Sequence, residues 1–168
     1  VSPTDGRFFA LNVAQKTVHG WDAAFNDLGA TAVGSDPWGM VVSPDGKWLY
    51  VANAGDGTIA VFDAGTFTAA AAPVATISLP GEAPHVLAVA ETSANPRLFV
   101  ADQTHQTLRI FEIQPGAVPA HPALGSKEAL PLTPGALAAS PGGGWGYVLV
   151  ADGTGKSRVQ VVNAHAVE

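Results

Sequence analysis

The sequence predicts an all-β fold, a β-propeller segment of four-stranded antiparallel blades, part of a ring of six to eight. Three observations carry this. The polar residues Asn12, Asn53, Asp102 and Asp152 each close an apolar run, and they fall 41, 49 and 50 residues apart. A period of about 40–50 residues with several strands per unit is the mark of propeller blades. The runs are of strand length, rich in aromatic and β-branched residues and bounded by turn residues. Finally, 19 Gly and 13 Pro among 168 residues suit a chain of many short strands better than a helical bundle.

The second copy is the clearest. In Ser43-Pro44-Asp45-Gly46, Pro44 presets φ, Asp45 can bond its own backbone and Gly46 accepts positive φ. Residues 48–52 then form an unbroken apolar strand ending at Asn53. A turn at 54–57 leads into 58–63, the returning strand of a hairpin. The first copy repeats this from Ser2 to Asn12, with 17–22 in register with 58–63. The third loses the Pro-Asp-Gly turn to residues 92–96 but keeps strands 97–102 and 107–112. The fourth has Ser140-Pro141-Gly142-Gly143-Gly144 as its turn, then 147–151 and 158–163.

Two further strands complete each unit. Small and apolar runs at 39–42, 86–89 and 136–139 suit an innermost strand, where blades crowd towards the axis. Outer strands are expected at 30–33 and 74–79, and a faint one at 129–132. Residues 114–127 carry three prolines and no period, which reads as an extended loop. The resulting division is a partial blade over 1–34, blades over 35–80 and 81–132, and a partial blade over 133–168. A closed ring of four blades is the structural alternative, and a second copy of the chain is another way to cover the open ends.

Composition narrows the function classes. Apolar residues make up 47% and charged residues 13%, the balance of a folded chain. The net charge is −6 and the eight Lys and Arg are scattered, leaving no basic stripe for nucleic acid. Without Cys there is no disulfide, thiolate nucleophile or Cys-held metal. No apolar stretch reaches the roughly 18 residues of a membrane span. The expected partners are therefore a protein or the remainder of the propeller.

In a four-stranded meander, the loops joining second to third strands and those joining one blade to the next open on one face. That face gathers the candidate binding residues Asn12, Asp36, Trp38, Asn53, Asp56, Glu82, His85, Asp102, His105 and Asp152. Each has a plainer alternative. Asn and Asp at strand ends commonly bond nearby backbone, and Trp38 can pack between blades. His85 begins an inner strand facing the channel and can serve as acid, base or metal ligand; its alternative is a structural hydrogen bond. His19, His121 and His165 lack a spacing that suggests a common metal. Asp56-Gly57 and Asp152-Gly153 lack the dense ligands of a calcium loop, so a divalent metal has no support and no cofactor is predicted. There is no Gly-x-Ser-x-Gly elbow.

Tyr50-Val51-Ala52-Asn53, together with its looser copies ending at Asp102 and Asp152, resembles the YVTN family of bacterial β-propellers. The resemblance implies a periplasmic or extracellular address. It also implies a choice among secreted binding proteins, lactonase-like hydrolases of the phosphogluconolactone type, and scaffold subunits of amine dehydrogenases or haem d1-type reductases. The favoured expectation is a noncatalytic binding or scaffold module using its loop face. The alternatives are a lactonase-like hydrolase relying on His85, since lactonase-like propellers carry Pro-His at such positions, and a scaffold subunit of an electron-transfer complex.

Overall fold

In the computed structural model, which describes residues 1–91, 95–125, 127–151, 154 and 156–164, the strands form four antiparallel sheets. The first holds β1 (Phe8–Asn12), β2 (Thr17–Trp21) and β3 (Asp27–Ala32). The second holds β4 (Pro37–Val42), β5 (Trp48–Asn53), β6 (Thr58–Asp63) and β7 (Ala75–Ser78). β8 (Pro84–Ala90), β9 (Arg97–Asp102), β10 (Thr107–Glu112) and β11 (Glu128–Ala129) make the third. β12 (Thr133–Ala139), β13 (Trp145–Ala151) and β14 (Ser157–Asn163) make the last. Every strand pairs with its neighbour in the chain. This is the predicted fold class, an all-β propeller segment.

The turns before β5 and β13 show why the copies fold alike. Ser43 N–H donates to the Trp48 carbonyl, and Ser43 Oγ accepts the Trp48 N–H at 2.9 Å. Asp45 accepts the Lys47 N–H, and Gly46 has φ +72°. Ser140 repeats both bonds with Trp145 although no Asp is present, and Gly143 takes φ +64°. The serine is thus the common anchor of the reversal, with a left-handed glycine three residues on.

β5 and β9 are buried along their whole length, because a sheet packs on each of their faces. Strands covered on both sides read as continuous apolar runs rather than alternating ones. Three apolar clusters fill the three spaces between sheets. Phe9 and Val18 meet Leu49 and Phe62 in the first; Trp48 and Tyr50 meet Leu98 and Phe111 in the second; Phe99 and Ile110 meet Val148 and Val162 in the third. Each fully buried large side chain stabilises the fold by about 1.5–3 kcal/mol. Inner strand β4 packs on β8, and β8 on β12.

β13 behaves differently. Its burial alternates, and Trp145, Tyr147, Leu149, Val159 and Val161 are exposed on the outer face of the last sheet. Counted from the shared Ser turn, register matches Trp145, Tyr147 and Val161 to Trp48, Tyr50 and Val61, which are buried between the second and third sheets. The row of sheets is therefore open at this end.

Residues 114–124, expected as a loop, double back along β10. Gln114 N–H bonds Ala120 O, Glu112 N–H bonds Pro122 O, and Leu124 N–H bonds Ile110 O. Prolines at 115, 119 and 122 remove the donors of a continuous ladder, so only single bridges form before β11. Among the described residues no helix is long and apolar enough to cross a membrane.

Candidate functional site

The loop face is organised by the residue that ends each second strand. Asn53 Oδ1 accepts the Gly34 N–H at 3.1 Å, and Asp102 Oδ2 accepts the Ala83 N–H at 2.8 Å. Each partner lies 19 residues back, in the linker entering the same sheet. Both side chains are buried, so they hold the loops from beneath rather than line the surface. Asp56 adds a bond to the Ser35 N–H at 2.6 Å. Asp36, left-handed at φ +49°, receives the Ala54 N–H on its carbonyl. Asn12 is exposed and bonds only locally, to the backbone and side chain of Gln15. Asp152 lies outside the described residues, as does His165.

The turns after these residues share one geometry. Lys16, Gly57 and Gln106 each stand four positions past the strand end, and their φ values are +54°, +60° and +54°. Glycine enters that region without steric cost, whereas Lys16 and Gln106 are held there against it.

Around the third sheet the loop face gathers its aromatic and imidazole groups. Trp38, at the start of β4, is 54% exposed, and its ring lies 5.6 Å from that of His85 at an angle of 46°. His85 Nδ1 is 2.5 Å from the Ala83 carbonyl, and the Gln103 N–H approaches the same atom at 3.4 Å. The shorter contact has Nδ1 donating to the carbonyl, which in the neutral ring makes Nε2 the acceptor. His105 Nδ1 lies 2.7 Å from Asp102 Oδ2, with the histidine side chain 47% exposed. Burial pushes the Asp102 carboxyl up, but the Ala83 and His105 N–H groups and the His105 ring outweigh it and hold the group below the usual carboxylate value. Asp102 is therefore ionised at neutral pH and orients His105 with Nε2 free, the geometry of a carboxylate-held general base.

A comparison within the chain shows what this arrangement costs. Asn53 Nδ2 donates to Thr58 Oγ1 at 3.3 Å. At the equivalent position the Asp102 carboxylate has no such donor, and Thr107 Oγ1 is buried without a partner among the described residues. The Asn53–Thr58 bond has no counterpart at Asp102, whose carboxylate instead holds the His105 ring and N–H.

Glu82 faces elsewhere. Its side chain is 5% exposed, and one oxygen receives both Nε and a terminal nitrogen of Arg109 at 2.7 Å, with Lys127 Nζ at 3.6 Å. Arg109, Gln103 and Thr107 were not singled out from the sequence. An Arg in mid-strand looks like any solvent-facing charge until its partner, 27 residues away, is known. Among the described residues, no cluster of three or more His, Cys, Asp or Glu could hold a metal ion.

Fold and site together define a meander propeller whose polar groups collect on one loop face. The chain belongs to the family described as lactonase, 7-bladed β-propeller, whose model matches residues 3–120. No curated protein matches the sequence. Among solved structures, the chain is similar to Kuenenia stuttgartiensis hydrazine synthase at 20% identity and a TM-score of 0.75, covering 99% of this chain and 45% of that one. The dihydro-heme d1 dehydrogenase NirN, in complex with DHE, matches at 18% identity and a TM-score of 0.67, covering 97% and 33%. The β-propeller domain of Myceliophteria thermophila Cps50 (Swd1) matches at 15% identity and 0.68, covering 94% and 56%. At these identities the likeness is one of fold. The chain spans between a third and just over half of the length of these structures.

Proposed function

We propose that the loop face is the binding surface of a lactonase-family propeller and takes a small polar ligand between Trp38, His85 and His105. The carrying observation is the exposed Trp38 ring tilted over His85. An indole face next to an imidazole with a bare Nε2 offers both a stacking platform and a hydrogen-bond acceptor. The reading requires no cofactor. Family resemblance supports a periplasmic or extracellular address and a ring of seven blades, with the exposed face of the last sheet meeting either a protein partner or further blades.

A second reading, lactone hydrolysis, is favoured by the Asp102–His105 pair together with the family match. His105 Nε2 would take a proton from water attacking the lactone carbonyl, the ring oxygen would leave as the alcohol, and the imidazolium would return the proton to it. One titration separates the readings. With δ-gluconolactone and gluconate as probes, tryptophan fluorescence is expected to change saturably, and Trp38→Ala to abolish the change. Binding with no turnover above the spontaneous rate supports the binding module. Turnover lost in His105→Ala supports the hydrolase. Absence of saturation with both compounds would overturn the proposed ligand class.

A further inference from the structure

A second concavity lies away from the loop face, between the outer strand of the second sheet and the third sheet. It is a crevice of about 500 Å³ whose walls include Ile77, Ser78, Arg109, Phe111, Pro119 and His121. That volume falls in the range of small-molecule sites. Two features give it chemical character. Its charge comes from Arg109, a lining residue whose Glu82 partner beside the crevice is shared with Lys127, so the carboxylate does not offset both cations. Among the described residues no carboxylate lines the crevice. Two of the five guanidinium N–H donors of Arg109 serve Glu82, and the side chain is 31% exposed, so three donors remain for a ligand.

The opposite wall is fixed. His121 lies 3.2 Å from the buried Tyr50 hydroxyl, with the two rings edge to face at 5.6 Å. Burial lowers the His121 pKa, so the ring is neutral and adds no charge to the crevice. The doubling-back of residues 114–124 along β10 holds this wall, and Lys47 Nζ bonds the Gly116 carbonyl from the neighbouring sheet. The site is thus framed by two sheets and a pinned segment.

We propose that this crevice binds a small aromatic carboxylate, with the carboxylate on the Arg109 guanidinium and the ring against Ile77 and Phe111. A planar guanidinium fork matches a carboxylate in two-point fashion. The proposal is independent of the loop-face reading, since none of Trp38, His85 and His105 lines the crevice.

The test uses benzoate as probe, benzamide as its neutral isostere and acetate to match the salt. Benzoate at millimolar concentration is expected to raise the melting temperature by a few degrees through preferential binding to the folded state; benzamide and acetate are expected to leave it unchanged. Arg109→Lys, which keeps the charge beside Glu82, should weaken the apparent affinity about tenfold by losing the planar fork. Ala123→Phe, on an exposed wall position, should fill the crevice and remove the shift while the unliganded protein still melts cooperatively. Equal shifts from benzoate and benzamide, a shift that survives Ala123→Phe, or no shift in the unmodified chain would each overturn the proposal.

Discussion

Asn53 and Asp102 occupy the same register position and differ by one amide nitrogen, and that atom decides the state of their neighbours. Asp102→Asn should keep the Ala83 clamp, since Asn53 makes the same bond to Gly34, but it puts an amide NH2 where a carboxylate oxygen accepts the His105 N–H. The expected loss of stability is about 1–2 kcal/mol. Asp102→Ala removes the acceptor of the part-buried Ala83 and His105 N–H bonds and should cost about 2–3 kcal/mol; urea midpoints check both. The pH dependence has a definite sign. Because the folded pKa of Asp102 is depressed, its contribution is present above the unfolded value and lost as pH falls through the folded one. The Asn variant should therefore lose less stability than the parent as pH falls below the ordinary carboxylate value of about 4. The sequence shows polar residues at strand ends, which suffices to place them on the loop face. It does not show their partners, because a backbone N–H 19 residues upstream carries no side-chain signature.

Strands β4 and β8 run against one another at the centre of the segment, and Gly39 is where they meet. A Cβ placed there would lie 2.3 Å from the His85 carbonyl oxygen, a backbone atom that cannot rotate away. Gly39→Ala should destabilise by about 1–3 kcal/mol, read as a lower urea midpoint with an unchanged m-value. It should also disturb the loop face, since His85 and Trp38 begin these two strands. The small residues of the inner strands are visible in the sequence, and their crowding is the reason for them. Where the elements were less legible, chemistry explains it. The prolines at 115, 119 and 122 hide a segment that runs beside β10 without a strand's pattern. β13 carries the apolar run of a strand covered on both faces, and the bareness of one face follows from its place in the last sheet of the row.

At the scale of the four sheets together, the exposed face of the last sheet sets how copies of these 168 residues meet in solution. Tyr147, Leu149, Val159 and Val161 are exposed together on one sheet, and contiguous apolar patches of this kind drive association. The 168-residue chain is expected to self-associate as its concentration rises, seen as a growing sedimentation coefficient. Leu149→Glu with Val159→Lys should suppress this with little change in melting temperature, because both side chains already face solvent. The repeat was legible at this scale because each blade restates one pattern. The open end was legible in the same way, since the count of strands leaves a partial blade at 133–168; which side chains stand bare there belongs to the arrangement of sheets. The pairing scheme has a kinetic consequence as well. Each strand bonds only its chain neighbour, so every ladder closes over a short stretch of backbone and little entropy is lost at each step. Contacts of low sequence separation form early, and a sheet can be complete before the following one has been synthesised. The chain is thereby suited to acquire its structure in order, sheet by sheet, as it emerges from the ribosome.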